Sequence, residues 1–504
     1  MKNLNILEND MNKYNIDLLL IHPNDQKTVY GDTLKYAACE PPYWCAIAAQ
    51  YCLNNGIETE ILDAEAENLS FEDVAGIVRE KSPTLVGIFV TGTNLSASTQ
   101  KMNGADKTCK QIKQDVGTPV FFWGLHPSAL PERTLSENDA DYIVSGEGFE
   151  TIVNLVRYHK KEAVFEEKNL RGLWYREGDK IEHFMAAKLM DTSQIPLPAW
   201  ELLPMKKYMP HNWHIMGEDD PKSAKGRYAV ISTSVGCPYN CSYCAISALF
   251  GTKRLRFWDP DRVVAEITRL VEKFNIKYIK ILDECFVLKK DYVIDLCSRI
   301  EALGYDLNMW AYARVDTVDD ELLNALARCG IKWLAYGIES GDDNVLSEVS
   351  KSQYTAQKTR EVMKATREAG INILANFMFG LPDDTKESMQ RSLELCKEIN
   401  PEWINFYVTM LYPGSRDYIE AVKSGHIKDD KWIEYAQYSY ECIPAGGKYL
   451  SPSEVLEYRD YAFNAFFDNN DKYFDLIDKK FGRQYVDEIK NMTKTRLRRK
   501  LLGD

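Results

Sequence analysis

Twice along this chain short apolar runs alternate with helix-length stretches, and this double alternation limits the fold most. Strands separated by crossover helices pair in parallel, because each helix returns the chain to the same edge. The first set of runs is Asp17–His22, Gly56–Leu62, Leu85–Val90, Pro119–Trp123 and Asp141–Val144. Helical patterns follow over about Tyr43–Asn54, Phe71–Lys81, Ala97–Asp115 and Glu150–His159. This pattern predicts an α/β, Rossmann-like doubly wound parallel sheet over residues 1–160. Residues 161–225 read as a linker, with a hairpin signal at Glu177-Gly-Asp179 and a flexible, exposed stretch at 219–226. From Tyr228 the alternation resumes, with strands over 228–235, 276–283, 307–313, 332–338, 371–379 and 402–410. Helices are expected between them, over about 260–274, 290–303, 319–329, 355–369 and 385–399. These units define a second α/β region, 226–425, and residues 426–504 leave the pattern for a helical domain.

The loop after the first strand of the second region holds Cys237, Cys241 and Cys244, spaced C-x3-C-x2-C. A tight loop of this kind can turn three thiolates toward one centre. A structural zinc site is closed by four protein ligands, so three ligands imply an open coordination position. Iron–sulfur clusters are also held by thiolates. The loop lies at a strand's C-terminal end, where αβ-barrel enzymes build their sites. A zinc knuckle, or three unrelated core cysteines, is the competing interpretation.

The cysteine spacing, with Tyr243 directly before the last cysteine, resembles the signature of the radical S-adenosylmethionine (SAM) enzymes. The resemblance implies a [4Fe-4S] cluster whose open iron chelates the amino and carboxylate groups of SAM. It implies one-electron cleavage of SAM to methionine and a 5′-deoxyadenosyl radical, which abstracts hydrogen. The six strands suit the partial (β/α)6, TIM-like barrel that goes with it.

Composition narrows the class. The 504 residues are 45% hydrophobic and 27% charged, as in an ordinary soluble protein. A net charge of −13 argues against general nucleic-acid binding, which needs a basic footprint. The polar start, with Glu8 and Asp10, does not read as a signal peptide, and no apolar run is of membrane-spanning length. Twelve cysteines in such a chain read as free thiols plus a metal site in a reducing, cytoplasmic setting. Cys39, Cys45 and Cys52 are expected to pack as small apolar groups. The wide spacing of a methylthiotransferase's extra cluster cysteines is missing.

Ligands of doubly wound sheets sit beyond the carboxyl ends of the strands. The loops there are Thr91-Gly92-Thr93, Gly124-Leu-His126-Pro127-Ser128 and Ser145-Gly146-Glu147-Gly148. With Pro42 and Tyr43 at the start of the first helix, they resemble the cobalamin-binding domain of cobalamin-dependent radical SAM enzymes. The resemblance implies that these residues surround cobalamin. It departs from the family at Trp123-Gly124-Leu125, where a Gly-Gly pair is common. The Asp-x-His-x-x-Gly motif that supplies a cobalt ligand elsewhere is absent, so a lower cobalt face without histidine is expected; His126 as that ligand is the lesser alternative to a loop histidine that touches the cofactor or caps its turn. A flavodoxin-like scaffold without cofactor is the alternative.

At the barrel loops the resemblance assigns SAM contacts. Asp283 or Glu284 would take the amino group, Arg314 a carboxylate, and Gly337, Glu339 and Ser340 the ribose region. Lys351 follows, with Gly380 and Pro382 in a turn near adenine. Cys285, Tyr312, Tyr407 and Tyr412 are candidates for substrate chemistry by position alone, and Cys285 is equally an inert buried thiol. In the last domain, helices are expected over Asp429–Tyr440 and from Ser451 to Phe467, the second opened by a Ser451/Glu454 capping box. Its aromatic residues form a core or a lid. The basic run Lys494–Lys500 is either a solvated helix end or a contact for an anionic substrate or membrane. The resemblance implies methyl transfer from SAM through methylcobalamin to an unactivated carbon; a small molecule such as a saccharide intermediate is the expected substrate, with flavodoxin or ferredoxin as electron donor. Non-methylating cyclisation, rearrangement or sugar redox chemistry is the second reading, and a noncatalytic cofactor sensor or scaffold the third.

Overall fold

A computed structural model describes residues 16–504 except 93, 219, 252 and 352. Thr93 and the polar first residues therefore lie outside the described residues. The first sheet has seven strands: β1 (Leu18–His22), β2 (Thr59–Asp63), β3 (Leu85–Phe89), β4 (Val120–Trp123), β5 (Tyr142–Val144), β6 (Leu173–Glu177) and β7 (Lys180–His183). Their order is β2-β1-β3-β4-β5-β6-β7, parallel through β5. β6 pairs antiparallel with β5, and β7 with β6. The hairpin read as part of a linker therefore extends this sheet and covers its β5 edge. A parallel sheet commonly ends in such an antiparallel strand. Within 220–226, Asp220 caps a short turn and Ala224 is fully buried, while Asp220, Lys222, Ser223 and Lys225 are exposed, as expected.

All five side chains of β1 are buried, as a central parallel strand requires. Leu19 and Ile21 face one core with Val74, Ala75, Ala105 and Ile112, from the helices Phe71–Lys81 and Met102–Asp115. Leu18 and Leu20 face the other way, toward the helix Tyr43–Asn54. That second core runs without a break into the rest of the molecule through Trp200, Tyr228 and Trp333. Each large side chain so buried contributes about 1.5–3 kcal/mol. Cys45 and Cys52 lie in it, fully buried, as small apolar groups do. Gly124, after β4, has φ +132°, and a Cβ there would stand 2.3 Å from the Val90 carbonyl oxygen. Only glycine lets the β4 loop pass this close to the end of β3.

The second region holds β8 (Tyr228–Ile231), β9 (Ser234–Val235), β10 (Arg256–Phe257), β11 (Tyr278–Ile281), β12 (Asn308–Ala313), β13 (Ile331–Glu339), β14 (Asn372–Phe379) and β15 (Trp403–Val408). Six of them form a parallel sheet in the order β15-β14-β13-β12-β11-β8, the partial barrel. The strand expected over 228–235 breaks after Ile231. Ser234–Val235 turns to pair antiparallel with β10, because Asp283 captures the hydroxyls of Ser232, Thr233 and Ser234.

The C-terminal region contains the helices Pro452–Phe467, Asp471–Phe481 and Arg483–Met492. The first opens with the Ser451/Glu454 capping box. The helix expected over Asp429–Tyr440 is a single turn, Trp432–Tyr435. Long-range contacts override it: Arg133 bonds the Asp430 carboxylate and carbonyl, and stacks 3.9 Å from the Trp432 ring. The basic tail is also not a helix end. Thr495–Arg499 has no regular secondary structure, and Arg499 is buried against Asp460 and the carbonyls of Gln437 and Ser439.

Candidate active site

A cavity of about 1160 Å³ lies between the strand ends of the first sheet and the mouth of the barrel. This exceeds the roughly 300–1,000 Å³ of a pocket for one small ligand. His22, Phe89, Thr91 and Gly92 line it from the first sheet, and Cys237, Glu284, Arg314 and Glu339 from the barrel. Arg459 and the tail residues Lys494 and Arg496 line it from the C-terminal region.

All three loop cysteines reach this wall. Ser96, from the first domain, places its hydroxyl 3.2 Å from Cys244 Sγ and accepts the Ala245 N–H at 3.2 Å. Burial pushes the Cys244 thiol up to about 12 and raises Cys237 as well. Both thiols are therefore protonated on their own, and metal binding must release those protons. Among the described residues no three Cys, His, Asp or Glu side chains gather closely enough to share one ion.

Beside the cysteines, Glu339 ends β13 at φ +64°, a conformation uncommon for glutamate. The strand register shifts between Gly337 and Glu339. Lys351 Nζ lies 2.5 Å from Glu339 Oε1 and 3.0 Å from the Gly337 carbonyl. Tyr354 OH donates to that carbonyl at 2.9 Å. Burial alone would lower the Lys351 ammonium, but the Glu339 carboxylate outweighs it and holds it above its ordinary range. The second Glu339 oxygen remains for a ligand. A Cβ on Gly337 would come within 2.6 Å of Glu339 Oε1, so this pair needs glycine there.

Arg314 forms a fork with Asp316 at 3.0 Å and lies flat on Tyr239, 3.7 Å from the ring centre. Its Nη1 is buried without a hydrogen-bond partner, a donor suited to a carboxylate. Glu284 lines the cavity, and burial lifts its carboxyl to about 7. Its neighbour Asp283 does not line the cavity. Asp283 accepts hydrogen bonds from Ser232 Oγ, Thr233 N and Oγ1, and Ser234 Oγ at 2.6–3.2 Å, and so braces the cysteine loop. Of the two acids offered for an ammonium group, only Glu284 has a free carboxylate at the wall.

Tyr243, Gly337, Lys351, Cys285, Tyr312, Tyr407 and Tyr412 also line the cavity, as do Pro42 and Tyr43. The Cys285 thiol is raised to about 11 by burial and lies 4.0 Å from Thr317 Oγ1. Ser340, Gly380 and Pro382 stand behind the wall. Ser340 bonds Ser392, and Gly380 N–H donates to Asp384. The loops His126-Pro127-Ser128 and Gly146-Glu147-Gly148 are also outside the lining. His126 is fully buried between Thr99 Oγ1 and the Trp432 ring, and burial depresses it to about 3. Ser128 Oγ accepts the Gly146 N–H, and Glu147 pairs with Arg256 and accepts the Met190 N–H.

Two buried networks on the wall had no motif to announce them. Glu40 meets Lys280 Nζ at 2.8 Å and accepts from Tyr228 OH at 3.0 Å. His22 Nδ1 lies 2.9 Å from Asp63 Oδ1, and Tyr208 OH donates to Asp63 Oδ2 at 2.8 Å. The signal for the first is a lysine inside the apolar run Tyr278–Ile281, and for the second a histidine ending a buried strand.

A fold of this type and a three-cysteine loop at the cavity define a radical SAM enzyme with a cofactor-binding Rossmann-like domain. Two family models match: the Radical SAM superfamily over residues 231–396 and the B12 binding domain over residues 31–156. The chain is 31% identical over 424 residues to an uncharacterized methyltransferase of Pyrococcus horikoshii, covering 83% of this chain and 85% of that one. It is 26% identical to the anaerobic magnesium-protoporphyrin IX monomethyl ester cyclase of Cereibacter sphaeroides, covering 87% and 68%. The solved structure of the radical SAM methyltransferase TsrM from Kitasatospora setae, with cobalamin and a [4Fe-4S] cluster bound, superposes with a TM-score of 0.67 at 18% identity, covering 91% and 90%. The chain belongs to the radical SAM superfamily and is one of its cobalamin-dependent enzymes. No helix among the described residues is long and apolar enough to cross a membrane.

Proposed function

We propose that this enzyme moves a methyl group from SAM to an unactivated carbon of a small molecule, with cobalamin as carrier. One observation carries the reading: a single cavity is walled by the cysteine loop on one side and by the strand ends of the B12-type sheet on the other. Groups bound at both walls share one reaction space. When bound, the cluster and cobalamin supply one-electron chemistry and a methyl carrier. The chain's own residues supply the rest. Cys237, Cys241 and Cys244 hold iron. Glu339, steadied by Lys351, accepts hydrogen bonds from ribose hydroxyls. Glu284 accepts from the amino group, and Arg314 donates from Nη1 to a carboxylate. Pro42, Tyr43, Thr91 and Gly92 form the cobalamin side, with the His126 and Gly146–Gly148 loops packed behind it. Tyr312, Tyr407, Tyr412 and Cys285 face the substrate. A cytoplasmic, reducing setting with a flavodoxin- or ferredoxin-type donor fits the free thiols. A saccharide or other small metabolite is the substrate class of this reading.

The test uses anaerobically purified enzyme, with reconstituted cluster and added cobalamin, given SAM labelled in its methyl group and candidate substrates. Label recovered in the cobalamin fraction and then in product supports methyl transfer. Cleavage of SAM to methionine and 5′-deoxyadenosine with product formed and no label in cobalamin or product would instead establish the non-methylating reading, which the similarity to the cyclase favours.

A further inference from the structure

The basic run Lys494–Lys500 serves none of the SAM or cobalamin contacts above, yet it reaches the cavity. Arg499 fastens it. This residue is 1% exposed, with Nε donating to Asp460 at 3.0 Å and Nη1 to the Gln437 carbonyl at 2.7 Å. Lys494 and Arg496 line the wall from this anchored tail, and Arg459 lines it from the helix Pro452–Phe467. Arg459 is itself only 7% exposed. Its Nε donates to the Phe406 carbonyl at 2.8 Å and its Nη1 to Asp460 Oδ1 at 2.8 Å, while Nη2 has no hydrogen-bond partner among the described residues. A rigid guanidinium fork held at two nitrogens keeps the third in a fixed place for an acceptor. Lys494 Nζ bonds the neutral Asn491 Oδ1 at 3.0 Å and has no carboxylate partner among the described residues. Of the acids lining the cavity from this region, Asp460 is spent on Arg459 and Arg499, and Asp504 on Arg496 and the Arg499 N–H. The other, Glu457, is exposed. Aromatic faces adjoin the free donor. The Arg459 guanidinium carbon stands 5.6 Å from the Tyr438 ring centre and 5.3 Å from that of Phe463, and Tyr30 packs 6.1 Å from Tyr438. All three rings line the cavity.

Resting on the methyl-transfer reading above, we propose that Arg459 and Lys494 form an anion subsite, and that the methyl acceptor carries a carboxylate or phosphate group bound there. Arg459 Nη2 and Lys494 Nζ donate to that group, and Tyr30, Tyr438 and Phe463 pack against the body of the molecule. The subsite is separate from Arg314. Arg314 follows β12, whereas Arg459 is anchored on Phe406 of β15, with β13 and β14 between the two strands. The basic tail thereby becomes an element of substrate selection.

The experiment is ligand-observed nuclear magnetic resonance on the full-length protein, without SAM or turnover. The probes share a ring and differ in charge: phenyl phosphate, benzoate, benzyl alcohol and benzylamine. At least one anion is expected to bind about tenfold or more tightly than the alcohol, and the amine to bind weakest. A preference for phenyl phosphate marks a phosphate-bearing acceptor and a preference for benzoate a carboxylate; either supports the subsite. Arg459→Gln should abolish the preference for anions, and Arg314→Gln should leave it in place. Lys494 is exposed, so Lys494→Gln probes the subsite in a folded protein and should weaken anion binding by up to about fivefold. If Arg459→Gln does not fold, Lys494→Gln decides alone. Equal affinity for anions and alcohol, no saturable binding of either anion, or a preference untouched by these two variants and lost in Arg314→Gln overturns the proposal. None of these outcomes involves cobalamin or label. The methyl-transfer reading falls only when label reaches neither cobalamin nor product, so the two failures stay distinct.

Discussion

Glu339 and Lys351 carry most of the chemistry that a single substitution can probe. Their side chains are only 9% and 5% exposed, so neither charge is relieved by water. Removing one partner of a buried pair costs about 3–5 kcal/mol, because the other charge is left behind. Lys351→Met is therefore expected to lower the unfolding midpoint and to weaken SAM binding at least about tenfold, since a 1.4 kcal/mol loss already suffices for that. Anaerobic calorimetry of SAM binding, beside circular dichroism, separates the two effects. Unchanged affinity in a folded variant would reduce the pair to a structural role. At this scale the sequence was partly legible. The cysteines and the Gly337–Gly341 turn are local patterns. The locking of Asp283 is not, because its partners lie 49–51 residues away.

Among the elements, the helix Pro260–Phe274 ties the barrel to the first domain through Glu266. Its carboxyl is 3.4 Å from Tyr43 OH and 3.8 Å from Arg262 Nη1. Burial nonetheless lifts it to about 7. A carboxyl raised on folding favours the protonated folded state. Its stabilising contribution is full below the ordinary carboxyl range and is lost as pH rises through about 7. The shift from the ordinary value of 4.5 corresponds to about 3 kcal/mol at 1.36 kcal/mol per unit. Glu266→Gln should accordingly stabilise the protein relative to wild type at about pH 8 and change little at about pH 4. Urea unfolding at both values checks this; a difference independent of pH would contradict it. Most elements were readable from period and caps, the Ser451 capping box among them. Asp429–Tyr440 was not, because the Arg133 contacts outweigh a weak helical preference rich in aromatics.

Across the whole molecule, the first domain and the barrel are joined by a buried ion pair, Glu40 with Lys280, 5% and 2% exposed. Glu40→Gln removes the carboxylate partner of a buried ammonium and should destabilise by about 3–5 kcal/mol. Replacing both residues with methionine should recover most of that loss, since an apolar pair of similar volume avoids desolvation altogether. Chemical denaturation of the single and double variants reads the difference directly. A double variant as unstable as the single one would mean that packing, not charge, joins the halves.

By itself the sequence determined the parallel α/β regions, the helical end and the three-cysteine loop, because strand and helix periods and ligand spacing act over a few residues. Tertiary structure alone decided that the hairpin completes the first sheet and that the tail lines the cavity. It also paired Glu40 with Lys280 and His22 with Asp63, 240 and 41 residues apart. The physical reason is desolvation: a buried charge or imidazole must find its partner wherever the folded chain places one, and sequence distance does not enter that requirement.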